Sequence, residues 1–371
     1  MAEKLSPAEV FSPGEFLSDE LEARGWSQQE FAEIIGRPPN LVSQIINGKR
    51  AITPGTAKEL AAALGTSPMF WLNLEAAYRL HQAEEAPDRI AVQARLRGKF
   101  PVRDMIQRGW IEGAEDPEIL EHQVLSYFGI RSADEKPTFA FAARKGLVGS
   151  LDVGDSPQQL AWLFRVKQCA EAMQVGKYSE SLLRSRLDEI EALMSEPEET
   201  RRVPAILESC GVRFLVVEPL PGSKIDGACF WLDPWRPVVA LTLRFDRIDN
   251  FWFVLRHELE HVLRQDAAID LDVRPDVQAL TEQEEAANSA AAAFGVKEED
   301  LEHFILRVEP LFSERKVLGF AQRHGVHPGI VVGRLQYRLE RYNWLRKHLV
   351  GIREFVTSAA MTDGYGHFCP I

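Results

Sequence analysis

The feature of this sequence best suited to chemistry is a pair of histidines four residues apart, with a glutamate after the first. His257, Glu258 and His261 form the run HELEH. On a helix both imidazoles would face one metal ion, and the glutamate would act as a general base. With 9 histidines in 371 residues, about 0.02 such runs are expected by chance. The spacing predicts a Zn²⁺-dependent hydrolase; the alternative is a buried helix whose histidines only hydrogen-bond in the core.

A zinc ion held by two histidines needs a third protein ligand, and a carboxylate further along the chain is expected. The alanine-rich segment 281–294 has strong helix propensity, with Thr281 placed to cap it. Its small side chains allow close approach to a neighbouring helix. Spacing alone leaves Glu282, Glu284 and Glu285 open as the ligand, and at least one of them would only stabilise the helix N-terminus.

A strand-rich segment, the run FWFVLRHELEH and then Glu284-x-x-Ala287-Asn288 together resemble the ImmA/IrrE family of metallopeptidases, over roughly residues 200–345. The resemblance implies a zinc site of His257, His261 and Glu284, with Glu258 as the catalytic base of an endopeptidase. The family usually has glycine where this chain has Glu260. Glu260 either crowds or charges the site, or pairs with Arg256 or Arg264 on the helix flank.

Three β-prone runs, residues 212–217, 228–232 and 238–243, predict a small sheet before the zinc helix. We expect Gly227 to Asp233 to lie nearest the cleft, where an edge strand would hold an extended peptide by strand addition. His324 and His327 either assist catalysis or have structural roles. From Ser358 onward the sequence predicts a loose tail.

Near the start of the chain, the sequence predicts two short helices joined by a glycine turn. Ser27 and Glu30 form a capping box that opens a helix from Gln28 to Ile34, and Gly36 makes the turn. Asn40 is expected to cap a second helix that ends at Gly48. The apolar face of this second helix comprises Leu41, Val42, Ile45 and Ile46.

Two such helices form helix-turn-helix geometry, which suits insertion of the second helix into a DNA major groove. Gln44 is placed to read adenine, and Ser43 and Asn47 to contact base edges or phosphates. Arg37, Lys49 and Arg50 flank the helix where phosphates would run. The residues expected to bind DNA are Gln28, Arg37, Asn40, Ser43, Gln44, Asn47, Lys49 and Arg50.

Residues 13–79, from PGEFL through NGKR to GTSPMFWLNL, closely resemble the HigA-type antitoxins of the Xre repressor superfamily. The resemblance implies a five-helix domain, dimeric operator binding and, in many relatives, neutralisation of a partner toxin. Residues 1–80 carry seven basic and ten acidic side chains, a balance of −3. DNA binding must therefore use a local basic edge. We expect modest, salt-sensitive affinity from a homodimer.

Composition indicates packed cores, with 45% hydrophobic residues and a net charge of −12. This charge argues against general coating of nucleic acid and against binding to anionic membranes. The sequence shows no signal peptide, no apolar run of membrane length and no CxxC spacing among Cys169, Cys210, Cys229 and Cys369. These features favour a reducing cytoplasm, with each cysteine a small buried hydrophobe.

The sequence predicts a multidomain chain. An all-α helix-turn-helix domain covers residues 1–80, a helical connecting region 81–200, an α+β zincin-like metallopeptidase domain 201–350, and a tail 351–371. The polar stretch from His81 to Pro87 is interpreted as a linker, and helices are expected over 116–130, 156–174 and 179–201. The basic run from Arg89 to Arg108 either contacts DNA or a partner, or forms a solvated helix face.

Three functions are compatible with these features. The first is a transcriptional regulator whose own zinc metallopeptidase domain relieves repression by regulated proteolysis, in cis or on a partner. The second is an antitoxin that binds DNA and a toxin, with a non-catalytic zinc domain. The third is a promoter-targeted peptidase that cleaves a separate repressor protein.

Overall fold

The computed structural model describes residues 11–83, 88–142, 148–150, 156–266, 268–271 and 282–370. The chain divides into two compact units, Met1–Asp88 and Arg89–Ile371. Residues 84–87 of the expected linker and the expected helix cap Thr281 lie outside the described residues. None of the helices in the described ranges has the length and hydrophobicity needed to cross a lipid bilayer.

The first unit is a helical bundle. In the described residues it contains α1 (Pro13–Arg24), α2 (Gln28–Ile34), α3 (Pro39–Ile46), α4 (Pro54–Leu64) and α5 (Pro68–Gln82). Ser12, Thr53 and Ser67 cap three of these helices, each followed by a proline in the first turn. The core includes Leu17, Phe31, Val42, Leu60 and Trp71, all with no exposed surface. The five helices match the domain that the sequence resemblance implies.

The capping and glycine signals in the sequence predict the ends of α2 and α3 correctly, with one exception. The capping box of Ser27 and Glu30 is present, and Gly48 follows α3 with a φ of 65°. The expectation that Asn40 caps α3 is wrong, because the helix begins at Pro39 and its N-cap residue Pro38 makes no side-chain hydrogen bond. Proline at the first helical position already has a helical φ, and the N–H that it lacks would have no partner within the helix, so the helix starts there without a side-chain cap.

A close backbone contact fixes α3 against α1. A Cβ atom at Gly14 would collide with the carbonyl oxygens of Ile45 and Ile46 at the end of α3. Glycine therefore permits an approach that any side chain would prevent. The contact holds α3 at its C-terminal end, while Leu41, Val42 and Ile45 are buried along its inner face.

The second unit combines helices with a sheet. Its described strands are β1 (Ala140–Ala142), β2 (Val148–Ser150), β3 (Arg213–Val217), β4 (Ile225–Trp231), β5 (Pro237–Leu241), β6 (Ala268–Leu271) and β7 (Met361–Asp363). Its helices are α6 (Asp88–Lys99), α7 (Val102–Gln107), α8 (Pro117–Phe128), α9 (Pro157–Ala172), α10 (Glu180–Ala192), α11 (Val203–Ser209), α12 (Ile248–Arg264), α13 (Glu282–Ala293), α14 (Glu298–Val308), α15 (Glu314–His324), α16 (Pro328–Arg338) and α17 (Arg353–Thr357). Short 3₁₀ turns occupy Leu193–Ser195, Pro197–Arg202 and Arg346–His348.

The main sheet of the described residues is mixed, in the order β6-β4-β5-β3-β7. Strand β3 is parallel to β5 and β7, whereas β4 is antiparallel to β5 and β6. The strands β3, β4 and β5 that the sequence predicted are present with slightly different ends. Strand β1 pairs with β2 in a separate hairpin.

Side chains alternate between two cores, one on each face of the main sheet, because successive residues of a strand point to opposite faces. On one face, Phe214, Val216 and Trp231 pack with residues of α12 and the helices that follow it. On the other face, Leu215, Val217 and Phe230 pack with residues of α6 to α9. Of the helices in the expected connecting region, α6 to α9 therefore pack on one face of the sheet and α10 packs on the other.

Two expectations about strands are wrong. The segment from Gly227 to Asp233 is not an edge strand, because β4 lies between β5 and β6. The chain from Ser358 is not a loose tail, because β7 extends the sheet beside β3 and Asp363 is buried. Both results depend on strand pairing between distant parts of the chain, which a local pattern does not specify.

Candidate metal centre and nucleic-acid interface

Helix α12 carries the HELEH run at the centre of the second unit. It is amphipathic, with Phe251, Trp252 and Leu255 buried before the run and Val262 and Leu263 buried after it. The three functional candidates are also buried, with exposures of 2% for His257, 0% for Glu258 and 1% for His261. The apolar contacts on the same helix hold these polar side chains in place.

The structure brings His257, His261 and Glu284 together as a group able to hold a metal ion. The two Nε2 atoms lie 3.1 Å apart, and the Glu284 carboxylate lies 3.4 Å from His257 Nε2 and 3.6 Å from His261 Nε2. A tetrahedral zinc ion with bonds of about 2.0–2.2 Å separates its ligand atoms by roughly 3.3–3.6 Å. The 3.4 Å distance is to Glu284 Oε2 and the 3.6 Å distance is to Glu284 Oε1. The three side chains therefore form a group compact enough to hold one metal ion.

Helix α13 brings Glu284 to this position. It packs closely against α12, and its Ala287 and Ala291 are buried, as small residues at a helix contact allow. Glu282 and Glu285 are exposed, whereas Glu284 is partly buried. Hydrogen bonding to His257, opposed by burial, holds the pKa of Glu284 below its ordinary value. Of the three acidic candidates, the fold selects Glu284.

Glu258 projects from α12 towards strand β4. A Cβ atom built on Gly227 would lie 2.6 Å from Glu258 Oε1 and 2.9 Å from Val254 Cγ1. Glycine at position 227 therefore makes room for the carboxylate beside the sheet. The sequence predicted that Gly227 lies near the cleft, but it did not predict the contact between Gly227 and Glu258.

Glu260 points to the flank of α12. Its Oε2 accepts a hydrogen bond from Arg256 Nη2 at 2.8 Å, and the two side chains are 19% and 11% exposed. The Arg256 guanidinium also lies 5.9 Å from the centre of the Phe294 ring. Glu260 thus forms the helix-flank ion pair, which was one of the two alternatives for this departure from the family pattern.

Both histidine rings are also held at their second nitrogen, by residues to which sequence reasoning gave no role. His257 Nδ1 lies 3.2 Å from Asn288 Oδ1, and His261 Nδ1 lies 2.7 Å from Asp266 Oδ1. Asn288 lies four residues after Glu284 on α13, and Asp266 follows the turn that ends α12. Hydrogen bonds at Nδ1 leave Nε2 of each ring to face the metal position.

The other two histidine candidates, His324 and His327, make contacts that hold helices in place, and the four cysteines are buried. His327 Nδ1 accepts from Gly329 N at 3.1 Å and caps α16, and the His324 ring packs on Phe320. All four cysteines are buried free thiols, as the sequence predicted. Burial strongly raises the pKa of the Cys229 thiol, and the nearby Glu258 and Asp266 carboxylates add to this effect.

In the first unit, α2 and α3 expose most of the residues predicted to bind DNA. Gln28 is exposed at the start of α2, Asn40 is exposed in the first turn of α3, and Ser43 and Gln44 are half-buried. Asn47, at the end of α3, donates through Nδ2 to Ser43 O at 2.7 Å. These side chains form a polar outer face on α3, opposite its buried apolar residues.

The basic candidates differ in their freedom to contact phosphate. The backbone N–H groups of Lys49 and Arg50 donate to Gln44 O at 2.8 and 3.1 Å, which holds both residues at the end of α3. Arg37 is instead engaged by Glu59, through its Nε to both carboxylate oxygens at 3.1 Å and its Nη2 at 2.6 Å. The hydrogen bond from Arg37 lowers the pKa of Glu59. Glu59 therefore occupies the guanidinium that the sequence assigned to a phosphate contact.

Two basic residues of α6 form ion pairs. Arg95 pairs with Glu121 at 3.0 Å, and Lys99 pairs with Asp134 at 2.6 Å. These contacts favour the solvated helix face over a second nucleic-acid contact.

Comparison with known proteins identifies the first unit. The model of the helix-turn-helix family, described as "Helix-turn-helix", matches residues 17–71. Over 76 residues the chain is 37% identical to the uncharacterized HTH-type transcriptional regulator YddM of Escherichia coli K12, an alignment that covers 20% of this chain and 81% of YddM. Through its N-terminal unit, the chain belongs to the helix-turn-helix family.

Antitoxins are among the similar proteins. The chain is 46% identical over 70 residues to Antitoxin HigA-1 of Vibrio cholerae, covering 19% of this chain and 66% of the antitoxin. A solved structure of a HigA-family addiction module antidote protein from Coxiella burnetii is 42% identical, covers 20% of this chain and 83% of that chain, and has a TM-score of 0.20. These matches concern the first unit.

Proposed function

We propose that this protein is a DNA-binding transcriptional regulator that carries its own zinc metallo-endopeptidase for regulated proteolysis. The observation that carries the enzymatic half is the grouping of His257, His261 and Glu284, in which the two Nε2 atoms lie 3.1 Å apart and the Glu284 carboxylate oxygens lie 3.4 and 3.6 Å from them. The family of the first unit supports the regulatory half.

For DNA binding, we propose that a homodimer places α3 in the major groove of operator DNA. Ser43, Gln44 and Asn47 would face base edges, while Lys49 and Arg50 at the end of α3 would contact phosphates. The exposed side chain of Gln28, at the start of α2, would add a contact to phosphate. The net acidity of the unit makes these few basic contacts decisive for affinity.

For hydrolysis, His257, His261 and Glu284 would hold the zinc ion. Zinc, when bound, polarises a substrate carbonyl and lowers the pKa of a water molecule. Glu258 would act as general base, taking the proton of the attacking water and delivering it to the leaving amine nitrogen. Its burial beside Gly227 keeps the carboxylate away from bulk water and fixed in orientation.

The test is incubation of purified, zinc-loaded protein, alone and with repressor or toxin proteins encoded beside it, followed by mass spectrometry. Wild type is expected to produce a defined cleavage, within its own chain or in the partner. Glu258→Gln should bind the same amount of zinc and produce none, because the change removes the base and leaves the ligands. Cleavage by Glu258→Gln at the wild-type rate would refute the assignment of the base.

A second candidate function is supported by the 46% identity to Antitoxin HigA-1. In this alternative the protein binds DNA and neutralises a toxin. The zinc centre then serves as a scaffold or a sensor and catalyses no reaction. Zinc binding would then matter for regulation while Glu258 would not. This alternative would be favoured if His257→Ala impaired repression and toxin binding while Glu258→Gln left both unchanged. A small toxin-like reading frame beside the gene would point the same way, whereas a separate repressor gene would favour a promoter-targeted peptidase.

A further inference from the structure

The two histidines of the candidate metal centre have unequal partners at Nδ1. His257 Nδ1 faces the amide oxygen of Asn288 at 3.2 Å, a neutral acceptor. His261 Nδ1 faces the carboxylate of Asp266 at 2.7 Å, a charged acceptor at shorter distance. A carboxylate at Nδ1 fixes the proton on that nitrogen and makes Nε2 a better metal donor than an amide does.

Asp266 is held at several atoms, so its carboxylate has a defined position. Its backbone N–H donates to His261 O at 3.1 Å. Its carbonyl oxygen accepts from the buried indole Nε1 of Trp231, on β4, at 3.1 Å. Its second carboxylate oxygen lies 3.8 Å from Arg264 Nε. Sheet and helix therefore both fix the residue that contacts His261.

The turn that presents Asp266 has its own constraint. Gln265, which ends α12, has a φ of 61°, in the left-handed region that favours glycine. Its side-chain Nε2 donates to Glu180 Oε2 on α10 at 2.9 Å. Gln265 thus ties the end of α12 to α10 in the turn that aims Asp266 at His261.

We propose that Asp266 is a positioning residue of the metal centre, which fixes the Nδ1–H tautomer and the ring orientation of His261 and thereby sets zinc affinity. The inference rests on the proposed zinc centre and adds a residue outside the histidine and glutamate motifs. Asn288 orients His257 in the same way but through a neutral oxygen. Loss of the charged contact at His261 therefore costs more zinc affinity than loss of the neutral contact at His257.

The first test is the zinc dissociation constant of the full chain, measured by competition with a chromophoric chelator. Asp266→Asn should weaken zinc binding by about 10- to 100-fold, the usual effect of removing a partner of a metal-bound histidine. Asp266→Glu should recover part of the loss. Glu260→Gln is the matched control, because it also removes one carboxylate charge, at a residue of α12 whose partner is Arg256 and not a histidine. It should change the constant less than threefold.

The second test reads the tautomer directly, without metal. In metal-free chain labelled with ¹⁵N-histidine, the fraction of His261 in the Nδ1–H form should be higher in wild type than in Asp266→Asn, because the Asp266 carboxylate faces Nδ1. Asp266→Asn should shift His261 towards a mixture of tautomers while leaving His257 unchanged. Unaltered circular dichroism and urea unfolding would exclude a general loss of fold as the cause.

The outcomes separate the two proposals. If Asp266→Asn binds zinc as tightly as wild type, with an unchanged His261 tautomer, while His257→Ala loses zinc, the role of Asp266 is overturned and the metal centre stands. If wild type and His257→Ala bind zinc equally, the zinc centre itself is wrong. A tautomer shift together with weaker binding in Asp266→Asn supports the positioning role.

Discussion

Replacing Asp363 by asparagine tests whether the C-terminal strand is an integral part of the second unit. Asp363 is 3% exposed, and Trp110 Nε1 and Arg165 Nε donate to its Oδ2 at 2.8 and 2.7 Å. Arg165 Nη2 and the backbone N–H of Cys369 donate to its Oδ1, both at 3.2 Å. The carboxylate thus joins β7 to Trp110 in the turn after α7, to α9 and to the last residues of the chain.

Asparagine keeps the shape of this side chain but removes its charge. Arg165, which is 7% exposed, would remain buried without a carboxylate. Removing one partner of a buried ion pair costs about 3–5 kcal/mol. Because a folded domain is stable by only about 5–15 kcal/mol, the substitution should remove a large part of the stability of the second unit.

The assay is urea unfolding followed by tryptophan fluorescence and circular dichroism. With an m value of roughly 3 kcal/mol/M for a unit of this size, a loss of about 3–5 kcal/mol should lower the midpoint by about 1–1.7 M. Glu302→Gln is the control, because Glu302 and its partner Arg338 are 50% and 54% exposed, and surface pairs contribute about 0–1 kcal/mol. Equal midpoints for Asp363→Asn and Glu302→Gln would refute the structural role given to β7.

Two further predictions concern the two candidate sites. Glu59→Gln should release Arg37 for a phosphate contact, raising affinity for DNA from the protein's own promoter region and steepening the slope of log affinity against log salt by about 0.9. Electrophoretic mobility shifts at several salt concentrations measure this, with Glu20→Gln as control, and a lower affinity would contradict it. Gly227→Ala should displace the Glu258 carboxylate, so that zinc content is kept and cleavage is lost; full cleavage by a folded Gly227→Ala protein would contradict the assigned contact.

Sequence reasoning succeeded where the signal was local. The capping box of Ser27 and Glu30, the glycine stop at Gly48 and the buried face of α3 all lie within a few residues of the helices they define. The failure at Asn40 was also local, because Pro39 starts the helix and makes a side-chain cap unnecessary. Short-range steric rules decided each of these outcomes.

Features that depend on distant pairing were not predicted. Strand β7 pairs with β3, with Val216 opposite Thr362, and neither segment indicates the other. Strand β6, which follows α12 in the sequence, pairs with β4, so that β4 is not at the edge of the sheet. Asp266 lies in an irregular turn with no periodic pattern, and only the fold places it against His261. Its one sequence signal is an acidic residue five positions after the second histidine.

The proposed zinc centre on α12 and α13 predicts the zinc content of the full chain. Wild type and His257→Ala would be purified in parallel, dialysed at neutral pH against trace-metal-free buffer and measured by inductively coupled plasma mass spectrometry. We predict one zinc ion per wild-type chain and almost none in His257→Ala, with both proteins folded. Equal zinc content in the two proteins, or none in either after exposure to zinc, would contradict the account.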